Sequence, residues 1–191
     1  MRYADLAPRI ISASEAAAVL ARGGVIAYPT ETVWGIGCDA TRSDAVRRIF
    51  AIKQRAEAKA LITLVQSVAM LERWVDDIPD AGYQLLEAAV EPLTIVYDSP
   101  RGLAPELLAD DGSAGVRVVP LPIFRSWHKP LVSTSANISG RPAPRSIDEL
   151  SPEIVEAVDA IVDPRDAPPA AGRPSTVIKL SAGGLFKILR P

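Results

Sequence analysis

The chain has 191 residues, of which 48% are hydrophobic and 23% are charged, a composition typical of a soluble globular protein. This length predicts a single domain over residues 1–191, with a core large enough to need no disulfide or metal. The net charge of −2 argues against a tight stand-alone binder of nucleic acid. The single histidine, His128, excludes histidine-rich zinc sites.

The lone cysteine and the hydropathy pattern predict a cytoplasmic protein. Cys38 has no second cysteine with which to form an internal disulfide, as is usual in a reducing compartment. The sequence contains no apolar run near the ~20 residues of a membrane span, and the first ten residues lack the apolar core of a signal peptide.

The first predicted elements are a helix and a buried strand. Ser12 and Glu15 form an S-x-x-E capping box at the start of the helix, and Gly23 supplies its stop signal. Residues 25–29 form a short apolar strand, and Thr41 is the candidate N-cap of a second helix that ends near residue 53. Further strands are predicted at 60–65, 93–98, 115–119, 130–136, 160–163, 175–180 and 185–190, and further helices at 67–75, 122–128 and 146–158.

Alternation of helices and strands predicts an α/β fold. The last two strands are separated by Ser-Ala-Gly-Gly at 181–184, a hairpin signal that makes the sheet mixed. Residues 164–174, rich in proline and alanine, are predicted to form a mobile cover loop.

The stretch YPTETVWGIG, residues 28–37, continues into a G-x-G-x-x-A pattern. A dinucleotide fingerprint needs its first glycine directly after the strand and an acidic residue about 20 positions later. Gly35 instead lies six residues beyond Pro29, and the residue twenty positions further is Arg55. The stretch is therefore predicted to be a polar loop that passes close to a ligand and re-enters a helix.

Lys53 and Arg55 are candidates for binding phosphate. A lysine and an arginine that leave a helix end together can bracket a polyphosphate, one as a point charge and the other as a fork. The alternative is that they only complement the dipole at the helix C-terminus. The two residues alone leave both interpretations open.

Two further segments indicate an anion site. Residues 129–144 place Ser133, Ser135 and Asn137 at the end of an apolar strand, where ligands bind in open α/β sheets. Arg117 interrupts an apolar strand, and a buried arginine must meet a carboxylate, either of the protein or of a ligand. Ser175 starts a strand after the proline-rich loop and is predicted to lie at the edge of a cleft.

Blocks of sequence in a fixed order resemble one known family. They are GGVIAYPTETVWGIGCDA, IKQR, KPLVSTSANISG, PSTVIKL and ILRP. In order and spacing they resemble the YrdC/TsaC family of threonylcarbamoyl-AMP synthases, over residues from about 16 to 191. The resemblance implies a twisted mixed α/β sheet with flanking helices and a deep central cleft.

The resemblance also implies a reaction. L-threonine, bicarbonate and ATP, with Mg²⁺, would give threonylcarbamoyl-adenylate and pyrophosphate, and other proteins would use the adenylate to make N6-threonylcarbamoyladenosine in tRNA. Weak binding of double-stranded RNA or tRNA is a further implication. The alternatives are a non-catalytic RNA- or ribosome-associated module of the same fold and an enzyme that adenylates a different carbamate.

The implied site residues are carried over by position. Those facing ATP phosphates and metal are Lys53, Arg55, Ser135 and Asn137. Two more fall on the nucleotide side, Ser113 and Arg190. The positions on the threonine side are Thr30, Lys59, Arg117, Ser133 and Ser175, with Arg117 expected to pair with the threonine carboxylate. The sequence departs from the family where W-P-G becomes Val90-Glu91-Pro92 and where the usual histidine is Leu121.

Overall fold

The computed structural model describes residues 9–54, 61–167, 175–181 and 183–190. The strands in these ranges are β1 (Ile10–Ile11), β2 (Ile26–Pro29), β3 (Trp34–Gly37), β4 (Ile62–Val65), β5 (Leu93–Tyr97), β6 (Ala114–Val118), β7 (Leu131–Ser135), β8 (Ala160–Val162), β9 (Thr176–Leu180) and β10 (Phe186–Arg190). The helices are α1 (Ala13–Ala21), α2 (Ser43–Lys53), α3 (Val68–Leu71), α4 (Asp80–Ala88) and α5 (Pro152–Ala157). Short 3₁₀ segments lie at Pro105–Leu107, Pro122–Arg125, Ile147–Glu149 and Pro164–Asp166.

The described strands form one sheet in the order β1-β8-β2-β3-β7-β4-β6-β5-β9-β10. The sheet contains both parallel pairs, such as β4 with β6, and antiparallel pairs, such as β3 with β7, so the predicted mixed α/β sheet is confirmed. Successive residues of β2 alternate between two buried clusters: Ala27 belongs to one, Ile26 and Tyr28 to the other. Because side chains alternate along a strand, the sheet has a core on each face. No helix within the described ranges is long and apolar enough to cross a bilayer.

The capping signals in the sequence predict the start of the first helix correctly and the start of the second helix incorrectly. The Ser12 hydroxyl accepts from the Glu15 amide and Glu15 accepts from the Ser12 amide, so the capping box of α1 is confirmed. The predicted Thr41 cap of α2 is wrong: Arg42 occupies the N-cap without a side-chain bond, while the Thr41 hydroxyl donates to Asp39 at 2.6 Å.

Three predicted helices are shorter than expected. Only one turn of 67–75 is α-helical, 122–128 contains a 3₁₀ segment, and 146–158 divides into a 3₁₀ segment and α5. The division falls at Pro152, which suits a first helical turn but cannot continue a preceding helix. Of the predicted cover loop, residues 164–166 form a 3₁₀ turn, whereas 168–174 lie outside the described residues.

The prediction that residues 28–37 form a polar loop leading into a helix is wrong for residues 34–37, whereas residues 30–33 do form a loop. Trp34–Gly37 is strand β3, which forms an antiparallel hairpin with β2 and also pairs with β7. A Cβ on Gly37 would lie 2.9 Å from Tyr28 Cε1 and 2.3 Å from the Val132 carbonyl oxygen, and one on Gly35 would lie 3.5 Å from Tyr28 Cζ. The glycines therefore leave room for the Tyr28 ring and for the backbone of β7.

We expect Gly37→Ala to lower the free energy of unfolding by about 1–3 kcal/mol, as overpacking of a core does. The added methyl group would meet a backbone oxygen, which cannot move without disturbing the sheet. Gly183→Ala is the matched control, because a Cβ there has no atom within 4 Å. Urea denaturation of both variants measures the difference, and equal stability would show that β3 can shift to accept a side chain.

Candidate active site

A cavity of about 340 Å³ lies beside the β2–β3 turn, β7 and β6. The predicted site residues that line it are Thr30, Arg117, Ser133, Ser135, Ser175 and Arg190. Thr30, Arg117, Ser133 and Ser135 converge because β3, β7, β4 and β6 are neighbours in the sheet. Arg190 joins them through its hydrogen bond to Ser175. Two further predicted residues, Arg55 and Lys59, lie outside the described residues.

Thr30 shapes the turn between β2 and β3. Its hydroxyl donates to the Val33 carbonyl at 2.6 Å and accepts from the backbone amides of Thr32 and Val33 at 3.1 and 3.3 Å. The Thr32 hydroxyl lies 3.0 Å from the same oxygen. Thr30 therefore fixes the wall of the cavity through backbone contacts, in the way that threonine commonly stabilises turns.

Arg117 is 7% exposed and lies between two cavities. Its Nη2 forms an ion pair with the Glu31 carboxylate, so the carboxylate expected next to this arginine belongs to the protein itself. Burial lowers the pKa of Arg117 to about 10; Tyr28 opposes this change and Arg190 adds to it. The second cavity, of about 410 Å³, is bordered by Glu31 and Arg117.

Arg190 connects the end of the chain to the same cavity. Its Nη2 and Nε donate to the Ser175 carbonyl at 2.8 and 3.2 Å, and Nη2 also lies 3.3 Å from the Ser175 hydroxyl. That hydroxyl is 2.9 Å from the hydroxyl of Thr94, a buried residue of β5. The network places the guanidinium of β10 in the cavity wall, close enough to Arg117 to affect its pKa.

Lys53 is buried, with 2% exposure, at the end of α2. Its Nζ donates to the carbonyls of Ser135 and Asn137 at 2.6 and 2.8 Å, with the Asn137 amide oxygen at 3.3 Å. The Lys53 carbonyl in turn accepts from the Ser139 amide at 3.0 Å. Lys53 therefore holds the loop after β7 in place.

Asn137 and Ser113 occupy different surroundings. Asn137 lines a further cavity of about 350 Å³, and Ala143 borders both this cavity and the first one, so the two are neighbours. The Ser113 hydroxyl donates to Asp111 at 2.6 Å, and Ser113 lines neither cavity.

Sequence reasoning missed two polar residues at this site. Thr94 is a threonine within an otherwise apolar buried strand, a pattern that signals a polar partner. Tyr28 lies opposite Gly35 in the hairpin, and only the pairing of β2 with β3 brings it beneath the cavity. Of the residues judged unimportant, His128 is exposed and Cys38 is fully buried in the core.

Comparison with known proteins identifies the family. The family model described as "Telomere recombination", for the Sua5/YciO/YrdC domain, matches residues 18–191. Threonylcarbamoyl-AMP synthase of Xanthomonas campestris pv. campestris (strain B100) is 38% identical over 160 residues, covering 78% of this chain and 83% of that protein. Threonylcarbamoyl-AMP synthase of Stenotrophomonas maltophilia (strain K279a) is 37% identical over 161 residues, covering 80% of this chain and 86% of that protein.

Solved structures share the fold. P. abyssi Sua5 complexed with L-threonine has a TM-score of 0.84 and 29% identity over 95% of this chain, which spans 57% of that longer protein. E. coli YciO has a TM-score of 0.78 at 22% identity, covering 93% of this chain and 87% of that one, and shows the fold alone. The chain belongs to the Sua5/YciO/YrdC family.

Proposed function

We propose that this chain is a threonylcarbamoyl-AMP synthase, which converts L-threonine, bicarbonate and ATP into threonylcarbamoyl-adenylate and pyrophosphate. The observation that carries the proposal is the convergence of two arginines and several serine and threonine hydroxyls on one cavity. Its volume of about 340 Å³ is within the range of small-molecule sites. Relatives at 37–38% identity carry this name, and P. abyssi Sua5 binds L-threonine.

Threonine would bind against Arg117, Ser133 and Thr30. A guanidinium has five N–H donors, so Arg117 can keep Glu31 on Nη2 and present its other donors to the threonine carboxylate. Ser133 and the hydroxyls near it then face the rest of the amino acid. Lys59 and Ser175 are the other positions that we assign to the threonine side.

ATP would bind from the first cavity toward the neighbouring cavity that Asn137 lines. Arg190 supplies a positive charge there, and Lys53 holds the loop that carries Ser135 and Asn137. Arg55 and Ser113 are the remaining positions assigned to the nucleotide side. The polyphosphate would thus be bound by the charges and hydrogen bonds of the cavity walls, and not by a P-loop.

Mg²⁺ would enter this site together with the nucleotide. The described residues contain no group of three or more His, Cys, Asp or Glu placed to hold a metal ion. Most ligands of a bound Mg²⁺ are commonly water molecules and substrate phosphate oxygens. The Ser135 hydroxyl and the Asn137 amide oxygen are oxygen ligands of the kind that Mg²⁺ accepts. Bound there, it would neutralise phosphate charge.

The reaction needs positioning and charge neutralisation more than a strong base. The threonine amine combines with bicarbonate to give a carbamate and water. A carbamate oxygen then attacks the α-phosphorus of ATP, and pyrophosphate leaves. Arginines and hydroxyls that are fixed in place before the reaction lower its activation barrier by holding the reactants together and by stabilising the charge that develops.

A cavity of this kind favours an enzyme over the alternative RNA-binding module. A binding module would present its cations on an open face, whereas Arg117 and Lys53 are buried. We expect the adenylate to pass to proteins that form N6-threonylcarbamoyladenosine in tRNA, and any RNA contact of this chain to be weak and salt-sensitive.

Arg117→Lys should raise the KM for L-threonine about tenfold, because lysine keeps the charge beside Glu31 but loses the fork that binds a carboxylate. Pyrophosphate release measured at varied threonine and at varied ATP separates the two KM values, and the KM for ATP should change little. Arg125→Lys, at an exposed arginine, is the control. An unchanged KM for threonine would refute the assignment of Arg117.

Arg190→Gln should raise the KM for ATP about tenfold, the effect of losing one charge-assisted hydrogen bond. The KM for threonine should change by less than about twofold in the same assay, because neutral glutamine removes the charge but leaves Arg117 in place. A larger effect on threonine than on ATP would move Arg190 to the threonine side of the cleft.

Lys53→Met should lower the free energy of unfolding by roughly 1–3 kcal/mol, because it leaves buried carbonyls without a donor. Urea denaturation measures this loss, and Lys187→Met on the exposed strand β10 is the matched control. If Lys53→Met abolished turnover with no loss of stability, Lys53 would bind phosphate without supporting the loop.

A further inference from the structure

The hydroxyl of Tyr28 is a buried polar group with no hydrogen-bond partner among the described residues. Tyr28 is 2% exposed and lies in a strand whose other residues are apolar. Burial of a hydroxyl without a partner destabilises a folded protein, so such groups are rare and each one needs an explanation. The fold does not need this hydroxyl, since phenylalanine would fill the same space.

The surroundings of Tyr28 place its hydroxyl beneath the cavity. Tyr28 pairs with Gly35, which lines the cavity, and a Cβ on Gly35 would lie 3.5 Å from Tyr28 Cζ, the ring carbon that bears the hydroxyl. Burial raises the pKa of Tyr28, and this change is opposed by the Ser133 side chain, which lies within hydrogen-bonding reach without the geometry of a completed bond, and by the charge of Arg117. Both neighbours line the cavity. Tyr28 therefore holds a protonated donor next to two of the residues assigned to threonine.

We propose that Tyr28 is a positioning residue that orients Ser133 toward the side-chain hydroxyl of threonine. When substrate binds, the Tyr28 hydroxyl donates to Ser133 Oγ. A serine oxygen that accepts a hydrogen bond from one side directs its own proton elsewhere, here into the cavity. Gly37 is part of this device, because a Cβ there would lie 2.9 Å from Tyr28 Cε1 and force the ring to move. The inference rests on the proposed function and adds a residue that selects the substrate.

The test is calorimetric titration of the full chain with L-threonine and with L-2-aminobutyrate, which lacks the hydroxyl. We expect Tyr28→Phe to raise the Kd for L-threonine about tenfold, the loss of one hydrogen bond, and to leave the Kd for L-2-aminobutyrate nearly unchanged. Ser133→Ala should have the same effect, and the double variant should lose no more than either single one, as expected for coupled residues. If the role of Tyr28 were purely structural, Tyr28→Phe would weaken the binding of both ligands equally.

Tyr97→Phe is the matched control, because Tyr97 also has a buried hydroxyl without a partner among the described residues. Its strand partner Ala114 does not line the cavity, whereas the strand partner of Tyr28, Gly35, does. Neither phenylalanine variant should lower the free energy of unfolding, because each removes a buried hydroxyl that has no partner among the described residues, and Tyr97→Phe should keep the wild-type affinity for threonine.

If Tyr28→Phe kept the wild-type Kd for threonine, or if the losses in the double variant were additive, the role of Tyr28 would be overturned and the proposed function would stand. A loss of stability in Tyr28→Phe but not in Tyr97→Phe would do the same, because the hydroxyl would then be structural. A wild-type protein that neither binds threonine nor releases pyrophosphate would overturn the proposed function, and this inference with it.

Discussion

The close approach of β3 to its neighbours depends on the absence of side chains at Gly35 and Gly37. Any larger residue at 37 would meet the backbone of β7 and the ring of Tyr28. Because β7 carries Ser133 and Ser135 into the cavity while the β2–β3 turn forms its wall, the spacing between these strands determines the shape of the site. Backbone geometry thus sets the position of the polar groups before any of them meets a ligand.

The cations of the site are satisfied by the protein itself, each in a different way. Lys53 donates to backbone carbonyls, Arg117 is paired with Glu31, and Arg190 donates to the carbonyl of Ser175. A buried charge without such partners would be strongly destabilising. The arrangement lets the chain fold with positive groups around a cavity, and an anionic ligand then uses the donors that each guanidinium has left over.

Local signals in the sequence were enough for the capping box of α1, the mixed sheet and the polar residues that end β7, because each depends on neighbours within a few positions. The same signals failed at β3. A strand of Trp, Gly, Ile and Gly has weak strand propensity, and β3 is held between β2 and β7, the second of which lies about a hundred positions away in the chain. The pairing of Arg117 with Glu31 was equally out of reach, because a pattern shows that a buried arginine needs a carboxylate but not which one.

Stability and function make opposite demands on the groups around this cavity. Lys53 and Thr30 have their hydrogen bonds completed within the fold and act by holding backbone, so they contribute through the shape of the site. Tyr28 has a buried hydroxyl without a partner among the described residues, at a free-energy cost that a hydrogen bond to Ser133 in the ligand-bound site would offset. The buried hydroxyls of Thr63 and Tyr97 also lack partners among the described residues. Of these three residues, Tyr28 is the one whose strand partner lines the cavity, so its position, and not the missing partner alone, points to the ligand.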